Sequence, residues 1–514
     1  MHLTSWKFAV FAAVAVLCGQ PAAKGENAPT PSFSGEAITL PRLFSDNMVL
    51  QQGISVPIWG WGPEGATVTV RFQKQTASTR VKDGKWMVKL GGLKLGGPET
   101  LIITGGNSIT LTNVLVGEVW LASGQSNMEF PLKQARGSVE DISTSANPVI
   151  HLFKVPKTRL DSPTNDVNAR WTECGPDTAP NFSAVEYYFG RDLQKALHVP
   201  IGLIESDWGG SPAEVWMQRE FLEAHPQYRT EIFGGWIIAQ DNYERSLAAY
   251  NRKKTEAREK GLEFTNAAPH RPWKPSECFN GMIAPLAGYA IKGVLWYQGE
   301  SNAGSAEEAM QYHTLFPDLI RNWRTVWNEG PFPFLLVQLA PFRSIEEQPS
   351  ESSWASVREA QLQATKVLPG VGMAVITDVG DQRNIHPVQK QPVGSRLALA
   401  ALGIAYHKTL EYSGPILKRT KVERNQIVLT FDHVDGGLEA RGGDLTGFSI
   451  CGPDGKFVWA HAEIKGLDKV LVHSTEVEHP VAVRYGWASY PVVNLYNKVG
   501  LPASPFRTDD FELR

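Results

Sequence analysis

Between Val114 and Tyr406 the chain alternates short apolar runs with stretches of helical periodicity, and this alternation restricts the possible folds most tightly. The runs are Val114–Ala122 (broken only by Gly117 and Glu118), Ile201–Ile204, Gly293–Tyr297, Phe334–Leu339 and Met373–Thr377. Each is short enough to be one strand and apolar on both faces, which is how strands read in a parallel sheet covered on both sides. Between them, Val185, Phe189, Leu193 and Leu197 recur every four residues, and Leu315, Leu319, Trp323 and Val326 at four and three. Those spacings line one face of a helix. A last helix is expected from Val388 to Tyr406. Strand, loop, helix in repetition means an α/β/α unit over 114–410. A charged helical stretch and a Pro-rich loop at 242–285 interrupt it, and are expected to be an insertion able to overhang the functional site.

The flanks read differently. From Ile38 to Asn113 short strand patterns such as Val56–Trp59, Thr67–Phe72 and Trp86–Leu90 are separated by Gly, Pro and Asp83-Gly84 turns, as in a small β-sandwich over 36–113. After Gly414-Pro415 strand patterns return at Gln426–Phe431, Gly447–Cys451, Val470–His473 and Val481–Tyr485, giving a second β domain over 413–514 in which Asn494–Phe506 reads as loop. Three folded units suit 514 residues. A net charge of -3 with no long run of either sign excludes nucleic acid or an anionic membrane surface as the expected partner. The N-terminus has the order of a secretory signal over 1–25: Lys7, an apolar run from Phe8 to Leu17, then small residues. It is too short for a membrane span, and Leu17 is larger than the residue a lipid-anchor site at Cys18 wants. Export is therefore expected, without a lipid anchor. Cys174 and Cys278 lie in loop-like sequence and are candidates to bridge, whereas Cys451 sits in a strand pattern. No CxxC or HExxH pattern is present to suggest zinc.

Four polar stretches each follow an apolar run, where open α/β sheets place their ligands. Ser123-Gly124-Gln125-Ser126-Asn127 presents a serine whose hydroxyl and N–H face the same crevice. Met128 stands where a Gly-x-Ser-x-Gly elbow needs its second glycine, so that motif is excluded. Ser206-Asp207-Trp208-Gly209-Gly210-Ser211-Pro212 offers backbone N–H groups beside paired glycines. Gln298-Gly299-Glu300-Ser301-Asn302 puts four polar side chains at the end of a very apolar strand, better placed in a cleft than in a core. Asp378 to Pro387 contains His386 with two aspartates upstream, the parts a serine needs for proton transfer.

Together these stretches resemble the sialate O-acetylesterases of the SGNH hydrolase superfamily. The likeness takes in Leu40 to Gln51, Gly117 to Met128, Trp208 to Trp216, Trp296 to Asn302, Ile385-His386-Pro387 with Lys390, Gly394 to Ala398, Arg484 to Trp487 and Asn494 to Asp509. It implies a flavodoxin-like α/β/α SGNH hydrolase domain with flanking β-sandwich domains. It also implies an exported carbohydrate O-acetylesterase with no metal or organic cofactor, acting on O-acetyl sialic acids or on acetylated polysaccharides. By the same resemblance Ser126 is the nucleophile and His386 the general base. Gly210 and an amide from Gln298 or Asn302 join the Ser126 N–H in the oxyanion hole, and Gln125 and Trp208 contact substrate. The superfamily carries an acid three residues before its histidine, where this chain has Arg383. Asp381 takes that role in this reading, with Asp378 or a main-chain carbonyl as alternatives. Two rivals stand beside it: a carbohydrate-binding protein that kept the fold without catalysis, and a lipase-like esterase for long acyl chains, which the polar, Trp-lined turns disfavour.

Overall fold

The structure, a computed structural model, describes residues 37–512; the secretory-signal pattern and Cys18 lie outside them. Its centre is a seven-strand path: β1 (Asn107–Gly124), β2 (Asn147–Lys154), β3 (Trp171–Cys174), β4 (Ile201–Asp207), β5 (Gly293–Tyr297), β6 (Phe334–Val337) and β7 (Val371–Ala374). They lie in the order β7-β6-β5-β1-β4-β2-β3, and all neighbours are parallel except the β2–β3 edge. After β1 the chain crosses to one side for β2 and the edge strand β3, then comes back to insert β4 between β1 and β2. It then returns past β1 to build the other side through β5, β6 and β7. The reversal leaves a crevice at the carboxyl ends of β1 and β5.

Side-chain alternation sorts the sheet into two cores. Val119, Leu121, Ile204, Val294, Trp296 and Leu336 face a cluster shared with α3 (Ala306–Trp327) and α4 (Ser353–Val367). Trp120, Ala122, Leu203, Leu295, Tyr297 and Val337 face one shared with α1 (Ala184–Leu197) and α5 (Gln391–Ile404). Both sides of every central strand are thereby removed from water, so the runs are apolar throughout instead of alternating. The remaining long helix, α2 (Gly234–Glu259), contains no buried residue and stands against the rest as a wall. The overhang thus begins before 242. It also ends before 285, because Cys278–Leu286 is buried core: Cys278, Phe279, Met282, Ile283 and Leu286 all belong to the α3/α4 cluster.

The N-terminal β region is not joined by a linker at 113. β1 runs unbroken through that point. Its first half pairs antiparallel with Gly96–Gly105, as in Leu101↔Leu111, and its second half becomes the central parallel strand. Exposure along it changes from alternating to fully buried near Val114, which is why the sequence reads as a boundary where the backbone has none. In the C-terminal region two four-stranded antiparallel groups enclose a separate core around Leu429, Ile450, Val472 and Val483. Residues 494–506 are not wholly loop: Leu495–Asn497 and Phe506–Arg507 are strands whose Leu495 and Phe506 fill that core. Cys174, Cys278 and Cys451 are all buried free thiols, so the candidate Cys174–Cys278 pair is not bridged. Among the described residues no helix is long and apolar enough to cross a membrane.

Candidate active site

Register brings three of the four polar stretches to one level. Gly124 at the end of β1 is the partner of Asp207 on β4 and of Tyr297 on β5, so the loops at 125, 208 and 298 emerge side by side. Gly124 has φ +136°, and a Cβ there would lie 2.2 Å from the Tyr297 carbonyl oxygen. Only glycine permits this close crossing. Beyond it the chain turns into a single helical turn, Ser126–Glu129. The fourth stretch returns from the β7 side, and His386 Nε2 lies 2.8 Å from Ser126 Oγ. Residues 260 apart in sequence thus form a hydroxyl–imidazole pair.

Around Ser126 several backbone donors converge. Gly209 is so near that an added Cβ would meet Ser126 Cβ at 3.1 Å. Its N–H donates to Glu129 Oε2 at 2.7 Å, and Lys157 Nζ holds the other Glu129 oxygen at 2.5 Å. Gly210 follows with φ +76° and open space around it. Neither its N–H nor that of Ser126 is bonded to another described residue, which leaves both available to a developing oxyanion.

The two amides assigned to that hole have other partners. Gln298 Nε2 donates to Ser211 O at 3.3 Å and Asn302 Oδ1 at 2.7 Å. Asn302 Oδ1 also accepts the Ala213 N–H, and its Nδ2 donates to Glu214 Oε2. Both side chains are therefore engaged inward, bracing the Gly209–Ala213 loop against the β5 loop. Gln125 is arranged differently. Its Oε1 accepts from the Gly299 and Ser301 N–H groups at 3.4 and 3.2 Å, and its Nε2 meets no acceptor among the described residues. Trp208 sits beside the glycines with its ring edge-on to Trp273 at 5.4 Å, and Arg159 lies over both rings.

Neither aspartate reaches His386. Asp381 is exposed, and its Oδ1 accepts from the Arg383 and Asn384 N–H groups at 2.8 and 3.0 Å, which hold its carboxyl below the ordinary range. A carboxylate five residues upstream satisfies the turn nearest to it first. Asp378 is taken by Arg396 in a two-point ion pair, 2.6 Å at each oxygen. The main-chain alternative also fails, since His386 Nδ1 has no partner among the described residues. The main chain at His386 is held by its backbone N–H, which donates to Asn384 Oδ1 at 2.9 Å. Asp381 thus acts on the turn and Asn384 on the histidine backbone. Burial lowers the His386 pKa, the charge of Lys390 lowers it further, and Glu129 opposes both. Burial and Lys390 thus favour the neutral imidazole, the state a general base requires.

Beneath the pair lies a polar network to which the sequence reading gave no role. Asn127 is wholly buried. Its Nδ2 donates to Glu300 Oε1 at 2.6 Å and to the Ile385 carbonyl at 3.0 Å, and its Oδ1 accepts from Lys390 Nζ at 2.5 Å. One side chain therefore ties the serine loop, the histidine loop and the β5 loop together. Lys390, buried over the rings of Phe130 and Tyr297, has its pKa lowered to about 7 by burial, with Glu300 acting the other way. Burial raises Glu300 in turn. The sequence signal was present in the Gly-Gln-Ser-Asn and His-Pro-x-x-Lys patterns, but nothing in them says that Asn127 and Lys390 meet.

The fold and the site define an esterase, a hydrolase of the carbohydrate-esterase class, and a sequence model described as "Carbohydrate esterase, sialic acid-specific acetylesterase" matches residues 270–402. The chain is 32% identical to the sialate O-acetylesterase of Rattus norvegicus, over 90% of this chain and 93% of that protein. It is 30% identical to the Homo sapiens sialate O-acetylesterase, over 90% and 91%. The chain belongs to the sialate O-acetylesterase family. Its structure is also similar to the crystal structure of a carbohydrate acetylesterase from Xanthomonas citri, with TM-score 0.80, 38% identity and coverage of 92% of this chain and 100% of that one.

Proposed function

We propose that this chain is an exported carbohydrate O-acetylesterase working through a Ser126–His386 pair on a flavodoxin-like SGNH hydrolase domain. The observation that carries the mechanism is the 2.8 Å contact between His386 Nε2 and Ser126 Oγ. Ser126 attacks the acetyl carbonyl while His386 takes its proton. His386 then returns that proton to the departing sugar oxygen, leaving an acetyl-enzyme. Water, deprotonated by the same imidazole, attacks this ester, and acetate leaves as Ser126 recovers its proton. The Ser126 and Gly210 N–H groups, with Gln125 Nε2 as third donor, face the oxyanion. The Asn127 network keeps the two loops in register in place of an acid on Nδ1. Export is supported by the Lys7-to-Ala23 pattern.

Acetate release from 4-nitrophenyl acetate by the wild type, Ser126→Ala and His386→Ala tests the reading. Each variant should keep the native circular dichroism spectrum and lose at least about 10³-fold in kcat, and the double variant should be little worse than either single one. Near-normal turnover by Ser126→Ala would end it.

A further inference from the structure

The wall beside Ser126 is built from aromatic rings and cations. Gly209 lies against Ser126, and Trp208 directly precedes it. The Trp208 ring stands edge-on to that of Trp273. The Arg159 guanidinium lies 5.2 Å from the centre of the first ring and 3.6 Å from that of the second. Contact with ring faces holds a guanidinium in place without using its N–H donors.

Those donors lack acceptors. Arg159 Nε is buried without a hydrogen-bond partner, although Glu277 Oε1 lies 3.4 Å away. That carboxylate is already committed: its other oxygen pairs with Arg271, and Oε1 accepts the Lys274 N–H at 2.9 Å. Two further cations near these rings have carboxylates of their own, Lys157 with Glu129 and Lys274 with Asp161. Behind Trp208, Glu205 pairs with Lys154, and burial drives Asp207 toward its neutral form. Arg159 and Arg271 therefore share one negative charge, and a positive charge is left in excess. It falls on Arg159, whose side chain is only 19% exposed. A guanidinium drawn that far out of water needs acceptors for its fork of donors, and a carboxylate matches the fork with two parallel bonds. Of its nitrogens only Nε is enclosed without a partner, so the terminal pair is open to a ligand.

We infer that Arg159 is a specificity-determining residue that binds the carboxylate of an acidic sugar while the acetyl group of that sugar lies at Ser126. The inference rests on the esterase reading above and adds the group that reads the charge of the substrate. Sialic acids and uronic acids both carry such a carboxylate, and the test separates them.

Acetate release is measured from 9-O-acetyl-N-acetylneuraminic acid and its carboxyl methyl ester, and from a partly O-acetylated oligogalacturonate and its methyl-esterified form. 4-Nitrophenyl acetate is the reference without a sugar. In at least one pair the wild type should favour the acid over its methyl ester by about tenfold or more in kcat/KM, and that pair identifies the sugar. Arg159→Gln should remove this preference by raising KM for the acid about tenfold or more, with much smaller changes on the methyl ester and the aryl ester. Arg159→Lys, which keeps the charge and loses the fork, should recover only part of the preference. A purely structural arginine would instead lower turnover of every substrate together. Equal wild-type rates on acid and ester in both pairs would overturn the inference. So would a preference that survives Arg159→Gln, or a loss of the same size on all substrates. The esterase reading would survive each of these results. Failure of the wild type to hydrolyse the aryl ester would overturn that reading instead.

Discussion

Lys390 is wholly buried, and its environment lowers its pKa from 10.5 to about 7. At about 1.4 kcal/mol per pKa unit, holding the ammonium form there costs about 5 kcal/mol relative to water. Replacing Lys390 by Met keeps most of the volume and removes the titration. In the wild type between pH 7 and 10.5 the unfolded chain carries a proton on Lys390 that the folded chain has released. Stability therefore rises with pH across that window, by up to about 1.4 kcal/mol per unit, and this group adds no slope below pH 7. Lys390→Met loses that slope. Glu300, already raised by burial, is raised further once the nearby cation is gone, and a carboxyl that holds its proton only when folded makes the variant lose stability as pH rises. Both effects have the same sign. Guanidinium unfolding of the two proteins at pH 7, 8 and 9 should show the wild type gaining on the variant by about 3 kcal/mol over the two units. All other groups cancel in the difference. A flat difference would show that Lys390 keeps its ordinary pKa as a full ion pair, and the argument for a strained polar network under the catalytic loops would fail. The variant should also lose kcat on 4-nitrophenyl acetate, because Asn127 no longer has a partner fixing its orientation.

Three further outcomes follow from the same geometry. Asp381→Asn should lower kcat by less than about tenfold, since the residue folds a turn and does not touch the imidazole; a loss of about 10⁴, as when a triad acid is removed, would place the carboxylate on His386 after all. Glu129→Gln removes the one charge that raises the His386 pKa, so the acid limb of the kcat/KM profile should move to lower pH, whereas Lys390→Met should move it to higher pH; limbs that shift the same way would contradict the assignment. Cys174, Cys278 and Cys451 should react with a thiol reagent only after denaturation, and reductant should leave the melting temperature unchanged, whereas a lower melting temperature in reductant would indicate a bridge.

Local pattern determined much of this protein. The five apolar runs are the five central strands because a strand buried on both faces is apolar along most of its length, and that is visible within a few residues. Helical spacing located α1 and α3 for the same reason. The serine and histidine stood out because polar residues directly after such runs have few places to go except a ligand crevice. What the tertiary structure alone decided is who bonds to whom. Asp381 had equal claim in sequence to a turn or to His386, and two backbone N–H groups within three residues took it. Gln298 and Asn302 looked like oxyanion donors until the Gly209–Ala213 loop, some 90 residues away, supplied their partners. Asn127 and Lys390 are 263 residues apart and meet in a dry interior. A hydrogen bond depends on position and direction in space, and sequence spacing carries that information only over a turn or two. Cooperative packing of distant strands sets the rest.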